Sequence, residues 1–231
     1  MPLVPARILR NPVTGYVQVD DGGMGQPGPV GTSEPVDPRK PDIKYLRIPP
    51  GEQGTFVTLK LMKKIVLGPW GHRHPDVVLL ARQITSKTSP GLKKDYEAMA
   101  DAVFKFAKAN VPYRLDPAGL EWLQTPVYTL WGDNGKPVPA DCDDHAILIA
   151  SLAMALGLQA AFRTVRGKGG GRWVHVYAVI GWTKAGKTTW KSADSTQRRS
   201  TLGWDPPEAS ANGMKTWVID PTLEEDREWE T

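Results

Sequence analysis

The only cysteine in the sequence, Cys142, stands where an irregular stretch gives way to a predicted apolar helix. It lies in the segment Asp-Cys-Asp-Asp-His, and residues 146–158 are apolar on nearly every face of a helix that closes at Gly157. A thiol at the N-terminus of a helix faces the positive end of the helix dipole, which favours the thiolate. Because the thiolate is the nucleophilic form, the position of Cys142 predicts a nucleophile with a lowered pKa.

A histidine and an aspartate follow Cys142 on two predicted strands. His175 lies in the predicted strand of residues 173–182, and Asp194 ends the strand after it. A thiol nucleophile needs a base, and the base needs an acid that orients it. Asp220, at the end of a later strand, is the competing acid, but one tight turn joins the strand of Asp194 to that of His175. The pattern predicts a triad of Cys142, His175 and Asp194.

Two other interpretations of Cys142 are open. Free cysteine is often a small buried hydrophobic residue, although the acidic and imidazole side chains of residues 141–145 are a poor setting for an inert core thiol. The same residues include metal-ligand types, but consecutive residues at a helix start point in different directions, and no second cysteine stands at ligand spacing. We therefore expect no metal and no cofactor, and we expect Asp143 and Asp144 to stabilise the helix N-terminus.

Four groups are candidates for contacting the substrate. The backbone N–H of Cys142 is a natural donor to an oxyanion, because the first N–H groups of a helix lack intrahelical partners. Gln124, upstream of the thiol, is the candidate side-chain donor, and a glutamine that caps its own loop is the alternative. Trp173 and Trp190 are candidates for lining a cleft for an extended chain, with packing on the sheet as the alternative.

Composition and charge describe a globular protein without a marked preference for a charged partner. The 231 residues are 40% hydrophobic and 23% charged, with a formal net charge of +4, and no block of lysine and arginine argues for nucleic acid. The N-terminus carries no secretory signal, and the longest apolar stretch, residues 146–158, is shorter than the roughly 20 residues of a membrane span. One cysteine cannot form an intramolecular disulfide. We expect a protein kept in the reducing cytoplasm, or one that leaves it without a signal peptide.

The sequence divides into three parts. Residues 1–42 form an N-terminal arm rich in glycine and proline, residues 43–223 form one domain, and residues 224–231 form an acidic tail. Within the domain the predicted helices precede most of the strands, which favours an α+β fold over alternating α/β units. The predicted helices are 58–66, 75–85, 92–110 and 146–158, and the predicted strands are 43–48, 160–166, 173–182, 188–193 and 215–219.

Three segments resemble a known family. They are the cysteine segment of residues 141–157, His-Val-Tyr-Ala beginning at His175, and Trp-Lys-Ser-Ala-Asp-Ser-Thr of residues 190–196. Together they resemble the transglutaminase-like core of papain-type cysteine enzymes, and within it the transglutaminase-like cysteine peptidases of bacteriophages and bacteria. Two positions depart from the family pattern, since Ala140 stands where a glycine is usual and Val-Tyr follows His175 where Ala-Trp is usual.

This resemblance, over about residues 43–205, implies a nucleophile helix packed on an antiparallel sheet and gives Cys142, His175 and Asp194 the triad roles. It implies an acyl-transfer enzyme that acts on a protein or peptide. The simplest reaction is that of a peptidase or amidohydrolase working through a thioester on the cysteine. Members of this superfamily also crosslink or deamidate glutamine, or have lost catalysis.

A structural role is the alternative from a different class. Phage relatives are often encoded among virion genes, and residues 1–42 would then contact phage structural proteins during assembly. The protein would be cytoplasmic in the host or incorporated into the virion, with a vestigial site. An open route from solvent to Cys142 favours the enzyme, whereas a plugged one favours the structural protein.

Overall fold

The computed structural model describes residues 14–20, 42–49, 51–88, 94–117, 120–132 and 134–222. Most helices precede the strands of the larger sheet. The helices are α1 (Glu52–Leu67), α2 (Pro75–Thr85), α3 (Tyr96–Asn110), α4 (Pro126–Trp131), α5 (Cys142–Ala155) and α6 (Pro207–Asn212). The strands are β1 (Thr14–Asp20), β2 (Asp42–Ile48), β3 (Leu120–Leu123), β4 (Gln159–Arg166), β5 (Trp173–Lys184), β6 (Lys187–Ala193) and β7 (Met214–Val218).

Helix α5 is the central element of the fold. Asp141 caps its N-terminus by accepting a hydrogen bond from the backbone N–H of Asp143. Beyond its C-terminus Gly157 has a φ of 79°, a left-handed conformation that glycine adopts without strain. All its residues from Asp143 to Ala153 are buried, and α1 to α4, β4 and β5 pack against it. Packing from all these sides buries the apolar residues on every face of α5. Cys142, its first residue, lies where the helix meets the sheet.

The larger sheet has four antiparallel strands in the order β6-β5-β4-β7. Val176, Ala178 and Ile180 of β5 belong to the core that contains α5, whereas Tyr177 and Val179 pack on the other side of the sheet with α6. This is the period of two that the sequence predicts for the strand. The α+β class, with helix α5 packed on an antiparallel sheet, is confirmed.

A smaller sheet joins distant parts of the chain, in the order β2-β1-β3. Strand β1 is parallel to β2 and antiparallel to β3. It falls within the predicted N-terminal arm, so residues 14–20 of that arm pair with the domain. The rest of the arm up to residue 41 and the predicted acidic tail lie outside the described residues, and the predicted domain boundaries stay predictions.

Several elements differ from those that the sequence predicts. Helix α1 begins at Glu52, six residues earlier than predicted, although Gly54 lies in its first turn. The glycine is required there, because a Cβ at Gly54 would lie 2.2 Å from the carbonyl oxygen of Pro49. Packing therefore decides where the helix starts, against the weak helix propensity of glycine. Within the described ranges, no helix is both long and apolar enough to cross a membrane.

Candidate active site

His175 and Asp194 are hydrogen-bonded, with His175 Nε2 2.8 Å from Asp194 Oδ2. Asp194 is completely buried, and its Oδ1 accepts hydrogen bonds from the backbone N–H and the hydroxyl of Thr196 at 3.1 and 2.7 Å. Burial raises the pKa of this carboxyl, but the bonds from His175 and Thr196 outweigh it and hold the pKa below its usual value. Asp194 is thus an ionised acid that fixes the orientation of the imidazole.

Asp220, the competing acid, lies away from His175. Its Oδ1 accepts hydrogen bonds from the backbone N–H and the hydroxyl of Thr222 at 2.7 and 2.6 Å, the same local turn that Asp194 makes with Thr196. Strand β7, which leads to Asp220, pairs with β4, so β4 separates it from the strand of His175. The structure therefore brings Asp194, rather than Asp220, to the imidazole.

Cys142 is the first residue of α5 and lies against the strand that carries His175. Its thiol accepts a hydrogen bond from the backbone N–H of Val176, the residue after His175. Burial is the largest influence on the thiol and raises its pKa, the charges of Asp141, Glu121 and others raise it further, and the Val176 N–H opposes them. The prediction of a lowered pKa is therefore wrong, because burial and neighbouring carboxylates outweigh the helix dipole.

Gln124 supports the start of α5 through both its backbone and its side chain. Its backbone N–H donates to Asp144 Oδ1 at 2.6 Å, and its Nε2 donates to the carbonyl of Pro139 at 3.1 Å. Its Oε1 accepts from the hydroxyl of Thr129 at 3.2 Å. The amide is buried and braces the segment that leads into Cys142. One hydrogen of Nε2 is left after these contacts, and the oxyanion role stays a prediction.

The two candidate tryptophans lie in different places. Trp173 lines a cavity of about 600 Å³ beside the N-terminus of α1, and the guanidinium of Arg166 lies 4.2 Å from the centre of one of its rings. Trp190 pairs with Gly181 across β5 and β6, and its ring occupies the space that a Cβ at Gly181 would need. Trp190 therefore packs on the sheet opposite Gly181, which lies six residues after His175 on β5.

Three acidic residues at the start of α5 form a buried cluster. Asp141, Asp143 and Asp144 each bring a carboxylate oxygen to within 4.8 Å of the others. Both oxygens of Asp143 and Oδ2 of Asp144 have no hydrogen-bond donor among the described residues. Burial, followed by the charge of Asp141, raises the pKa of both Asp143 and Asp144. The expectation that these side chains point apart is wrong, and buried oxygens without donors fit a hard divalent cation such as Ca²⁺.

Two residues near the site were not predicted to interact. His145 Nδ1 lies 2.7 Å from the hydroxyl of Ser195, although 50 positions separate them in the chain. Burial lowers the pKa of His145 to about 4, against the charges of Asp141 and Asp194, so the ring is neutral at physiological pH. No local sequence signal connects the two residues, since only the packing of α5 on the end of β6 brings them together.

Comparisons with known proteins give similarities of fold. No protein-family model matches the chain, and no curated protein matches it. Among solved structures it is similar to a candidate cysteine protease from Cytophaga hutchinsonii, with 16% identity over 62% of this chain and 46% of that one, and a TM-score of 0.37. It is also similar to calcium-bound LapG from Legionella pneumophila, with 18% identity over 62% of this chain and 78% of that one, and a TM-score of 0.40. The chain thus spans less than half the length of the Cytophaga protein, and at these values both similarities concern the fold alone.

Proposed function

We propose that the protein is a cysteine-dependent acyl-transfer enzyme, most simply a peptidase or amidohydrolase, in which Cys142, His175 and Asp194 act together. The observation that supports this proposal is the 2.8 Å hydrogen bond between His175 Nε2 and the buried Asp194. The backbone N–H of Val176, the residue after His175, donates to the Cys142 thiol. An acid, an imidazole and a thiol in that order are the groups that thiol catalysis requires.

The first half of the reaction forms a thioester. In the tautomer that donates Nε2–H to Asp194, Nδ1 of His175 can accept a proton. The thiol proton passes to Nδ1, the sulfur attacks the amide carbonyl, and a carbon–sulfur bond forms. The carbon–nitrogen bond then breaks as the imidazolium of His175 gives its proton to the leaving amine. Asp194 stays ionised throughout and stabilises the imidazolium.

The second half releases the acyl group. His175 takes a proton from a water molecule, whose oxygen attacks the thioester carbonyl, and the sulfur leaves and is reprotonated. An amine in place of water gives transamidation, and a glutamine side chain as the acyl donor gives deamidation when water attacks. The backbone N–H of Cys142 is the proposed donor to the oxyanion, because it lies at the first position of α5.

Alkylation of the single cysteine tests the proposal. Iodoacetamide should modify Cys142 of the full-length protein, and the rate should fall on the order of 10²-fold in His175→Ala, the usual contribution of a positioned base. Cys142→Ser gives the background, and Arg82→Gln, on the exposed side of α2, serves as a surface control. Equal rates in the wild type and His175→Ala would remove the basis of the proposal.

Intact-mass measurements separate the reactions that share the thioester. A peptide substrate should leave a transient acyl adduct on Cys142, and an added primary amine should not appear in the product if the enzyme is a hydrolase. Capture of most of the acyl group by the amine instead would identify a transferase. These two results distinguish peptidase from transglutaminase chemistry.

A structural role within a phage particle is the second candidate. It requires a thiol that is closed to solvent, whereas the Cys142 side chain is partly exposed in the structure, which agrees better with the enzyme. Under this role the thiol stays closed to solvent and residues 1–42 contact other virion proteins. Iodoacetamide that leaves Cys142 unmodified in the folded protein, yet modifies it in urea, would favour this candidate.

A divalent cation would be held by Asp141, Asp143 and Asp144, whose carboxylate oxygens converge. When bound, the cation would supply positive charge beside the first turn of α5. Asp143 and Asp144 would then stay ionised in the buried cluster, and Asp141 would keep its place as the helix cap.

A further inference from the structure

A cavity of about 510 Å³ opens beside His175 and contains two arginines. Val165 of β4, Trp204, Arg198 and Arg199 are among the residues that line it. Both arginines are exposed and form no ion pair among the described residues. Glu208 also lines the cavity, and it forms no ion pair with either arginine. The cavity therefore combines an apolar wall with two guanidinium groups that face solvent.

The loop that carries these arginines is fixed to the acid of the proposed triad. Thr196 donates twice to Asp194 Oδ1, at 3.1 and 2.7 Å, and the hydroxyl of Ser200 donates to the backbone carbonyl of Asp194. Lys108 of α3 donates to the carbonyl of Ser200 at 2.6 Å. Both ends of the loop are thus anchored, and its anchor is the residue that orients His175. The backbone that carries the arginines is therefore held in place relative to Asp194.

The side of the substrate that reaches this cavity follows from the proposed chemistry. His175 gives its proton to the leaving amine, so the leaving part of the substrate lies beside the imidazole. His175 itself lines the cavity. Under the proposed function, the residues that follow the cleaved bond are the part of the substrate that lies toward the cavity of Arg198 and Arg199.

We propose that this cavity binds a carboxylate side chain on the leaving side of the substrate, so that the protein prefers peptides with aspartate or glutamate after the cleaved bond. The inference rests on the proposed function for the direction of the peptide. Guanidinium groups bind carboxylates through paired N–H donors, and Trp204 and Val165 accommodate the methylene groups of the side chain. The two arginines thus act as specificity residues.

Binding of two matched peptides tests this site without any reaction. The full-length protein, labelled with ¹⁵N, is titrated with acetyl-Ala-Glu-Ala-amide and with acetyl-Ala-Gln-Ala-amide, and the indole N–H resonance of Trp204 is followed. The glutamate peptide should shift this resonance with a Kd about threefold or more lower than the glutamine peptide, the order expected of exposed ion pairs. The difference should shrink as NaCl screens the charges.

Two variants complete the test. The double variant Arg198→Gln and Arg199→Gln should bind both peptides equally, whereas Arg82→Gln, which removes an exposed charge on α2, should keep the preference. Equal binding of both peptides by the wild type, a preference that persists in the double variant, or a Trp204 resonance that neither peptide moves would each overturn the inference. The titration does not use the thiol, so a failed alkylation test with a persisting glutamate preference refutes the proposed function and leaves the carboxylate site standing.

Discussion

His145 and Ser195 join the helix of Cys142 to the strand end of Asp194 through a 2.7 Å hydrogen bond. Each stands next to a proposed catalytic element, since His145 lies in the first turn after Cys142 and Ser195 follows Asp194 directly. Nε2 of His145 is buried and has no partner among the described residues, so the contact with Ser195 is the one that satisfies the ring. This bond joins the two elements that position Cys142 and Asp194 of the proposed triad.

Removing that hydroxyl should loosen the site. In Ser195→Ala the buried ring of His145 loses its partner, which costs about 1–3 kcal/mol of unfolding free energy. Alkylation of Cys142 should also slow, because the helix and the strand end are no longer tied. Urea unfolding and the iodoacetamide rate measure the two effects.

Ser151→Ala is the matched control for this change. Ser151 lies on the same helix, is fully buried, and its hydroxyl has no partner among the described residues. Its removal should be neutral or stabilising, since no bond is lost. A Ser195→Ala protein that unfolds and reacts like Ser151→Ala would contradict the positioning role of the His145–Ser195 bond.

The choice of acid in the proposed triad has an internal control. Asp194→Asn and Asp220→Asn change the same kind of local turn, because each carboxylate accepts from the backbone and hydroxyl of a threonine two residues on. Only Asp194 also contacts His175. Peptide hydrolysis should fall on the order of 10⁴-fold in Asp194→Asn, by analogy with an orienting acid, and should be nearly unchanged in Asp220→Asn.

Rates for both variants are compared at equal folded fraction, which circular dichroism measures. A similar loss in both would point to the turn rather than to the contact with His175. A loss confined to Asp220→Asn would overturn the assignment of the acid.

Much of the sheet and of the site order could be predicted because the signals are local. Helix α2 has the predicted bounds, since proline at its first position and Asp76 in its first turn mark its start. The short turn at residues 185–186 predicts that β5 and β6 pair, and that pairing brings Asp194 beside His175. These conclusions needed only periodicity and turn residues.

The features that could not be predicted depend on distant parts of the chain. Strand β3 has four residues and α4 has six, too few for a periodic pattern. The raised pKa of Cys142 follows from desolvation of the thiol and from the charge of Asp141, which the helix dipole alone does not reveal. The convergence of three carboxylates depends on the cap made by Asp141, a conformation that residue types do not specify.

Asp116 should make the stability of the folded protein depend on pH near neutrality. Burial is the largest cause that raises its pKa to about 7, with Asp141 and Glu121 adding to it, while the backbone N–H of Trp122 opposes them. The unfolded value is about 3.9, so the folded protein holds the proton more tightly. Its contribution to stability is complete below about pH 4 and is lost as pH rises through about 7.

Asp116→Asn should remove this dependence. Relative to the wild type, the variant should gain unfolding free energy between pH 5 and pH 8, and Asn can still accept the bond from Trp122. Asp101→Asn, an acid on α3 paired with Lys105, is the control and should show no such trend. Urea midpoints at each pH give the comparison, and a difference that does not change with pH would refute the assignment.

Calcium should stabilise the folded protein through the cluster of Asp141, Asp143 and Asp144. The buried oxygens of Asp143 lack donors among the described residues, and a cation would supply the charge they need. Because binding requires ionised carboxylates and burial raises the pKa of Asp143 and Asp144, the effect should be larger at pH 8 than at pH 5. At a concentration 100-fold above Kd the stabilisation is about 2.7 kcal/mol, measured as a rise in Tm.

Asp143→Asn should abolish the rise in Tm and should itself stabilise the calcium-free protein at pH 8, since it removes a buried charge. Asp220→Asn, which changes an acid just beyond β7 and outside the cluster, should keep the full response to calcium. Asp143 is the decisive position because neither of its oxygens contacts a donor in the described part of the chain, whereas Asp144 already accepts from Gln124. A calcium-induced rise in Tm that survives in Asp143→Asn would mean that the cation binds elsewhere. No rise in Tm at either pH would mean that protonation, rather than a cation, neutralises the carboxylates of the cluster.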